Sequence, residues 1–326
     1  MRAVYVADQD PADPLAGLVV GDQPAPPAPE GWVPVRLRAA ALNHHDLWSL
    51  RGVGLPGDRL PMILGTDAAG VDAQGQEVVV HAVLTSAHWQ GDETLDPQRS
   101  LLSEKYPGTL AENVWVPAAN LVPKPEALSF AEAACLPTAY LTAYRLLFDA
   151  AAVRPGQRVL VQGAGGGVAG AAILLARAAG CEVVATSRHA WKRDRAVAEL
   201  GAHEAVEPGS RIPRVDAVIE TVGEATWEHS LRSLHPGGVI AVAGATSGPA
   251  PSADLNRVFF RSLRVVGSTM GTRAQLQDLL GLLTATGTRP VIDSRYDFDD
   301  DVAVREAFER LHAGEAFGKV VLTRQE

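Results

Sequence analysis

The chain has 326 residues, 47% of them hydrophobic and 21% charged, a globular composition with enough length for two hydrophobic cores. Its formal net charge of -9, with Lys and Arg scattered along the chain, excludes a counterion-release surface for nucleic acid and leaves a small molecule as the better partner. Two cysteines, Cys135 and Cys181, are too few for a disulfide framework or a four-cysteine zinc site and fit a reducing cytosol; with no apolar leader in "MRAVYVADQDP", a cytoplasmic protein is expected.

Up to about residue 123, short runs such as "WVPVRLRAAAL" and "EVVVHAVL" are separated by Gly and Pro and predict an irregular β domain. The stretch "GDQPAPPAPEG" reads as a rigid loop between early strands. Within "ALNHHDLWSL", His44, His45 and Asp46 look like the start of a metal site. If the segment is extended, however, the two histidines point to opposite faces and cannot simply act together as ligands.

From Ser129 the spacing becomes helical, Ser129 and Glu132 form a capping box, and a boundary falls near residue 124. Beyond it, "RVLVQG", "CEVVAT", "DAVIET", "GVIAVAG" and "RVVGS" alternate with segments of helix length, the pattern of a doubly wound parallel sheet. The apolar stretch from Val159 to Ala176 approaches membrane-span length, but the four glycines within Gly163–Gly167 and the closing Arg177 make it a buried strand, turn and helix, with no membrane partner. Later, Thr272 and Gln275 cap a helix, the acidic run "DFDDD" opens another that Gly314 closes, and "GKVVLT" is a final strand.

The glycine turn carries the first chemistry. In "VLVQGAGGGVAG", a strand runs through glycines into an Ala-rich helix, so backbone N-H groups of Ala164, Gly165, Gly166, Gly167 and Val168 can approach a pyrophosphate at the helix's positive end. About twenty residues on, where an acid would hold the ribose of NAD, the chain instead offers Ser187, Arg188 and Lys192, which suit a 2'-phosphate and predict NADPH.

With the glycine turn placed after a β domain, the whole chain resembles the medium-chain dehydrogenase/reductase superfamily, and within it the zinc-independent quinone oxidoreductase branch and its zinc-type alcohol dehydrogenase-like relatives. The resemblance is carried in order by "LNHHDLWSLRG", "ILGTDAAG", "GTLAENVWVPAANLVPKP", "AACLPTAYLTAY", "DAVIETVG", "GSTMGTR" and "FGKVVL". It implies a GroES-like catalytic domain, 1–123 completed by 268–326, around a Rossmann domain, 124–267. The positions of the three catalytic zinc ligands in zinc-dependent members read Asn43, Thr66 and Thr138, none of which favours Zn2+, and the lobe that holds a structural zinc has no cysteine. No metal is therefore expected, and Cys135 reads as a buried thiol.

The resemblance also implies roles. Asn43 lies near the cofactor ribose and nicotinamide, with Asp46 in support, and His45 takes the place of a proton-relaying hydroxyl; these three are the catalytic candidates. Cofactor contacts are implied at Thr142, Thr221, Gly223, Gly244, Ala245, Thr246, Ser268, Thr269, Met270 and Lys319. His44, which replaces a family Tyr, lines the substrate cleft with Trp48 and Trp89. The expected activity is zinc-free hydride transfer from NADPH to a quinone or an α,β-unsaturated carbonyl in a dry cleft. The rivals are an alcohol or aldehyde dehydrogenase and a noncatalytic NADPH-binding redox sensor. A homodimer or homotetramer is expected, and the apolar edge "SLRVVGS" is a candidate for pairing.

Overall fold

The structure is a computed structural model, and it describes residues Met1–Gln325. The chain divides into two compact units, one of Met1–Ala139, Gly271–Ala285 and Arg289–Glu326, the other of Tyr140–Met270 and Thr286–Thr288. Among the described residues no helix is long and apolar enough to cross a membrane.

In the first unit the strand Trp32–Ala41 is the hub. It pairs antiparallel with Ala69–Asp72, with Asn113–Pro117 and, at its C-terminal end, with Lys319–Thr323, where Val321 lies opposite Ala41. Alternating buried residues such as Val35, Leu37 and Ala39 make its inward face, as period-2 patterning requires. The Pro-rich stretch 23–31 connects Leu18–Asp22 to this hub strand, so it is a loop between early strands.

His44 and His45 are not extended; they open the helix His44–Leu50. The reason is a reciprocal cap at its start, in which Asn43 N-H donates to Asp46 Oδ2 (2.8 Å) and Asp46 N-H donates to the Asn43 carbonyl oxygen (3.0 Å). The other two caps form as expected: Ser129 Oγ accepts from Glu132 N-H, and Thr272 Oγ1 from Gln275 N-H.

The second unit is a six-stranded parallel sheet of β1 (Arg158–Val161), β2 (Glu182–Thr186), β3 (Glu204–Val206), β4 (Val215–Glu220), β5 (Leu234–Val242) and β6 (Arg264–Gly267). Their spatial order is 3-2-1-4-5-6, the doubly wound arrangement in which ligands sit at the carboxyl ends of the central strands. Strand β3, "EAV", is an addition to the five runs legible in sequence; three residues are too few to show a period. Leu160, Val218 and Ile240 of three neighbouring strands pack with Leu231 into one core.

Candidate functional site

In the first unit the sheet register converges three distant segments. Chain residues 41–43 leave the hub strand, Lys319 begins the strand on one side, and Asp67 lies just before Ala69–Asp72 on the other. Lys319 Nζ donates to the carbonyl oxygen of Leu42 (2.8 Å), to Asn43 Oδ1 (2.6 Å) and to Asp67 Oδ2 (3.1 Å). Asn43 Nδ2 faces Asp67 Oδ2 (2.9 Å), Thr66 Oγ1 (3.2 Å) and the Ala41 carbonyl (3.3 Å). Thr66 Oγ1 is 2.9 Å from Thr138 Oγ1, which a π turn over Leu136–Tyr140 delivers.

Asn43, Thr66 and Thr138 thus meet in space, and two residues complete their cluster. Lys319 and Asp67 are 2% and 0% exposed, so each charge is balanced by its partner and its hydrogen bonds and not by water. Asp67 escaped the sequence reading although it stands beside Thr66 in "GTD"; only the register reveals that it meets the C-terminal Lys319.

Zinc does not fit this cluster. Its side chains offer an amide, two hydroxyls and a single carboxylate already paired with an ammonium, against the thiolate and imidazole ligands that Zn2+ takes. Among the described residues no group of three His, Cys, Asp or Glu side chains converges on a common point. Burial pushes the Cys135 thiol up to about 12, and its Sγ contacts the Ala131 carbonyl. His81 is buried with Nε2 2.9 Å from the Gly271 carbonyl, and burial lowers its pKa, leaving a neutral ring that donates that bond.

The remaining catalytic candidates separate. Asp46 is fully buried and accepts from Asn43 N-H and Gly65 N-H, so it braces the helix entry. Burial raises its pKa against the lowering pull of His45. His45 is half-buried, with Nε2 3.3 Å from Glu104 Oε1 and with Nδ1 lacking a hydrogen-bond partner. Burial pulls its pKa down, but the hydrogen bond to Glu104 and the charges of Asp46 and Glu104 outweigh this and raise it. Glu104, missed in sequence because 59 positions separate it from His45, is fixed by the Leu101 N-H (2.9 Å). His44 and Trp48 lie exposed on the same helix; Trp89 is half-buried and donates to the Asp92 carbonyl (2.8 Å).

In the second unit the glycine turn follows β1. Gly163 and Gly165 have φ of +80° and +105°, and a Cβ on Gly163 would lie 2.8 Å from Val222. Gly166 caps the helix Gly167–Ala178, whose first N-H groups, those of Gly167 and Val168 among them, have no intrahelical acceptor. Ala164 N-H is already taken by the Thr186 carbonyl (2.7 Å). A dinucleotide pyrophosphate fits this opening, with Gly167 and Val168 as its backbone donors.

A buried polar chain underlies the turn. Gly163 N-H meets Thr186 Oγ1, which donates to Gln162 Oε1 (2.6 Å); Gln162 Nε2 donates to Ser230 Oγ (3.0 Å), and Ser230 Oγ to Glu220 Oε2 (2.6 Å). Glu220 Oε1 then accepts from Val222 and Gly223 N-H. The loop holding Gly244, Ala245 and Thr246 is tied to Thr221 and Val222 by the Thr246 and Ser247 N-H groups. Ser268 and Thr269 follow β6, and Met270 has φ +50°. Thr142 is buried on the helix Leu141–Arg145.

Past β2, Ser187 Oγ accepts from His189 N-H, Arg188 is exposed, and Lys192 lies with Nζ 5.1 Å from the Trp191 ring. Arg193, which the sequence reading passed over, braces this loop by donating to the Ser187 carbonyl (2.8 Å) while pairing with Glu207.

A doubly wound parallel sheet with a glycine turn opening a helix, in a chain that also folds a β unit with a buried polar cluster, is the arrangement expected of a nicotinamide-dependent oxidoreductase, and comparison with known proteins agrees. Residues 29–126 match the alcohol dehydrogenase GroES-like domain and residues 167–285 the zinc-binding dehydrogenase domain. A solved NAD-dependent alcohol dehydrogenase is similar at 37% identity and a TM-score of 0.90, with 99% of each chain covered. The acryloyl-coenzyme A reductase of Sulfurisphaera tokodaii is 28% identical over 99% of each chain. The quinone oxidoreductase of Lama guanicoe is 29% identical, covering 99% of this chain and 97% of its own. The chain belongs to the medium-chain dehydrogenase/reductase superfamily, with a GroES-like and a Rossmann domain, and it is an oxidoreductase.

Proposed function

We propose that the protein is a cytoplasmic, zinc-independent reductase that uses NADPH to reduce a quinone or an α,β-unsaturated carbonyl. The observation that carries this reading is the Lys319 ammonium seated 2.6 Å from Asn43 Oδ1 and 3.1 Å from Asp67 Oδ2. A pocket that already holds a positive charge, walled by amide and hydroxyl groups, disfavours a divalent cation. Alcohol oxidation that depends on a Lewis acid loses its support. Reduction of a conjugated acceptor needs only a hydrogen-bond donor for an oxygen that gains negative charge, and a hydroxyl at the edge of this cluster can supply one.

Bound NADPH supplies a hydride to the electrophilic carbon. The protein's own part is to hold cofactor and acceptor, to exclude water and to direct protons. Gly167 and Val168 N-H hold the pyrophosphate, and Ser187, Arg188 and Lys192 receive the 2'-phosphate. His45, whose pKa the Glu104 contact raises against the opposing pull of burial, delivers the proton that completes reduction.

The test is loss of NADPH absorbance by EDTA-treated protein against quinones, 2-alkenals and simple aldehydes. Turnover of a quinone or alkenal without metal is expected. Activity only with added Zn2+ would return the reading to an alcohol dehydrogenase, and tight NADPH binding with no turnover would make the protein a sensor.

A further inference from the structure

The cluster around Asn43 has a proton order that its hydrogen-bond capacities fix. An ammonium has three N-H donors and no acceptor. The three donors of Lys319 are all consumed, by Leu42 O, Asn43 Oδ1 and Asp67 Oδ2. Lys319 therefore has no proton to offer a ligand, but it forces the Asn43 amide to present its oxygen to Nζ and its nitrogen the other way. Asn43 Nδ2 consequently donates: one proton goes to Asp67 Oδ2 (2.9 Å), and the second is shared between Thr66 Oγ1 (3.2 Å) and the Ala41 carbonyl (3.3 Å).

Thr66 is fully buried, with Asn43 and Thr138 as the partners of its hydroxyl. Since it accepts from Asn43, its own proton goes to Thr138 Oγ1 at 2.9 Å. The reverse direction would leave a buried O-H without an acceptor, which costs more than the bond gains. Thr138 has then accepted, and its own O-H remains. Thr138 is only half-buried, and among the described residues Thr66 is the side chain that hydrogen-bonds to it. The Thr138 proton is thus the outward end of a chain polarised from the ammonium: Lys319 to Asn43 to Thr66 to Thr138.

We propose that the Thr138 hydroxyl is a catalytic hydrogen-bond donor to the acceptor's carbonyl or quinone oxygen, with Lys319, Asn43 and Thr66 as the residues that position it. This rests on the reductase reading. As hydride reaches the β-carbon, the C=C electron pair moves to form the enolate and charge gathers on the carbonyl oxygen, where Thr138 O-H donates without transferring its proton. The α-carbon is protonated afterwards, and Thr138 ends unchanged. The cation that polarises the carbonyl is Lys319, acting through three hydrogen bonds.

The experiment compares Thr138→Val, which keeps shape and removes the hydroxyl, with Thr138→Ser, which restores it. In the substrate panel kcat is expected to fall roughly 100-fold in Thr138→Val, with NADPH affinity unchanged, and to recover in Thr138→Ser to within about threefold. An independent readout uses 4-nitrophenol, whose phenolate stands for the developing oxyanion, titrated optically into the NADP+-bound protein. Phenolate affinity is expected to fall about tenfold in Thr138→Val and to be retained in Thr138→Ser. Equal phenolate affinity in wild type and Thr138→Val, or no phenolate binding by wild type, overturns the donor assignment. Full activity in Thr138→Val beside an active wild type also overturns it and leaves the reductase reading standing. A wild type that binds phenolate in a Thr138-dependent way yet reduces no quinone or alkenal overturns the reductase reading and leaves the donor.

Discussion

Lys319 Nζ lies 2.6 Å from Asn43 Oδ1, although 276 positions separate the two residues in the chain. The contact follows from register: the C-terminal strand pairs with the end of the hub strand, Val321 opposite Ala41, and so carries Lys319 to the segment from which the helix His44–Leu50 departs. A buried pair held this way is costly to break from one side. Lys319→Met is expected to destabilise the protein by about 3–5 kcal/mol, because Asp67 is left charged and unpaired. Adding Asp67→Asn should recover much of that loss, and urea unfolding of the two single variants and the double variant measures the coupling. Additive losses in the cycle would mean that the pair is not coupled.

How much of this was legible beforehand depends on the distance between partners. The Ser129 and Glu132 cap, the glycine turn and the alternation of strand and helix are local patterns, and each appears where the spacing put it. That Asn43, Thr66 and Thr138 form one constellation came from resemblance, not from spacing. Asp67 and Glu104 were not singled out because each acts through a residue far along the chain, Lys319 and His45, and no period connects them. That His44 and His45 open a helix was not legible because the deciding contact is the Asn43 and Asp46 cap, which outweighs the β character of the preceding run.

The pair of His45 and Glu104 gives a pH dependence with a definite sign. His45 has a pKa raised above its usual 6.5, so its contribution to stability is complete below about pH 6.5 and is lost as pH rises through the folded value. Glu104 is pulled below its usual value, burial being outweighed by His45 and the Leu101 N-H, so its contribution fades as pH falls through that lowered value. In Glu104→Gln the His45 pKa should fall, read from its ring proton shifts by NMR, and the alkaline loss of stability should shrink. An unchanged His45 titration would remove Glu104 as the cause.

Cofactor choice is tested at the exposed Arg188. Arg188→Ser is expected to weaken NADPH binding about 10- to 100-fold, the worth of one or two charge-assisted hydrogen bonds, and to change NADH binding by less than about threefold. Fluorescence titration with both cofactors measures it. Equal losses for the two would assign Arg188 to the loop's fold and not to the 2'-phosphate.

Glu220 supports the same unit from below. Its carboxylate receives the N-H groups of Val222 and Gly223 and the hydroxyls of Thr226 and Ser230, all of them donors. Glu220→Gln turns one acceptor into an amide donor facing donors, and a loss of about 1–3 kcal/mol in stability is expected with weaker NADPH binding. Thermal unfolding with and without cofactor checks both effects. Unchanged values would show that the turn after β4 does not need the carboxylate.

Self-association is the remaining prediction, and strand β6 carries it. It is the edge of the parallel sheet, and among the described residues one side of its backbone has no partner strand. Val265 within it is 48% exposed, and on the helix Leu255–Phe260 that precedes it Leu255, Phe259 and Phe260 are 69%, 60% and 80% exposed, the two Phe rings tilted with centroids 4.4 Å apart. An open edge flanked by large apolar side chains is a template for a second copy, since a twofold axis lets the same edge and the same rings bury each other. The protein is expected to sediment as a homodimer or homotetramer, and Phe260→Asp to shift it toward monomer while leaving the isolated chain folded. Sedimentation velocity with circular dichroism separates the outcomes: a folded monomer supports pairing through this edge, whereas an unshifted oligomer places the interface elsewhere.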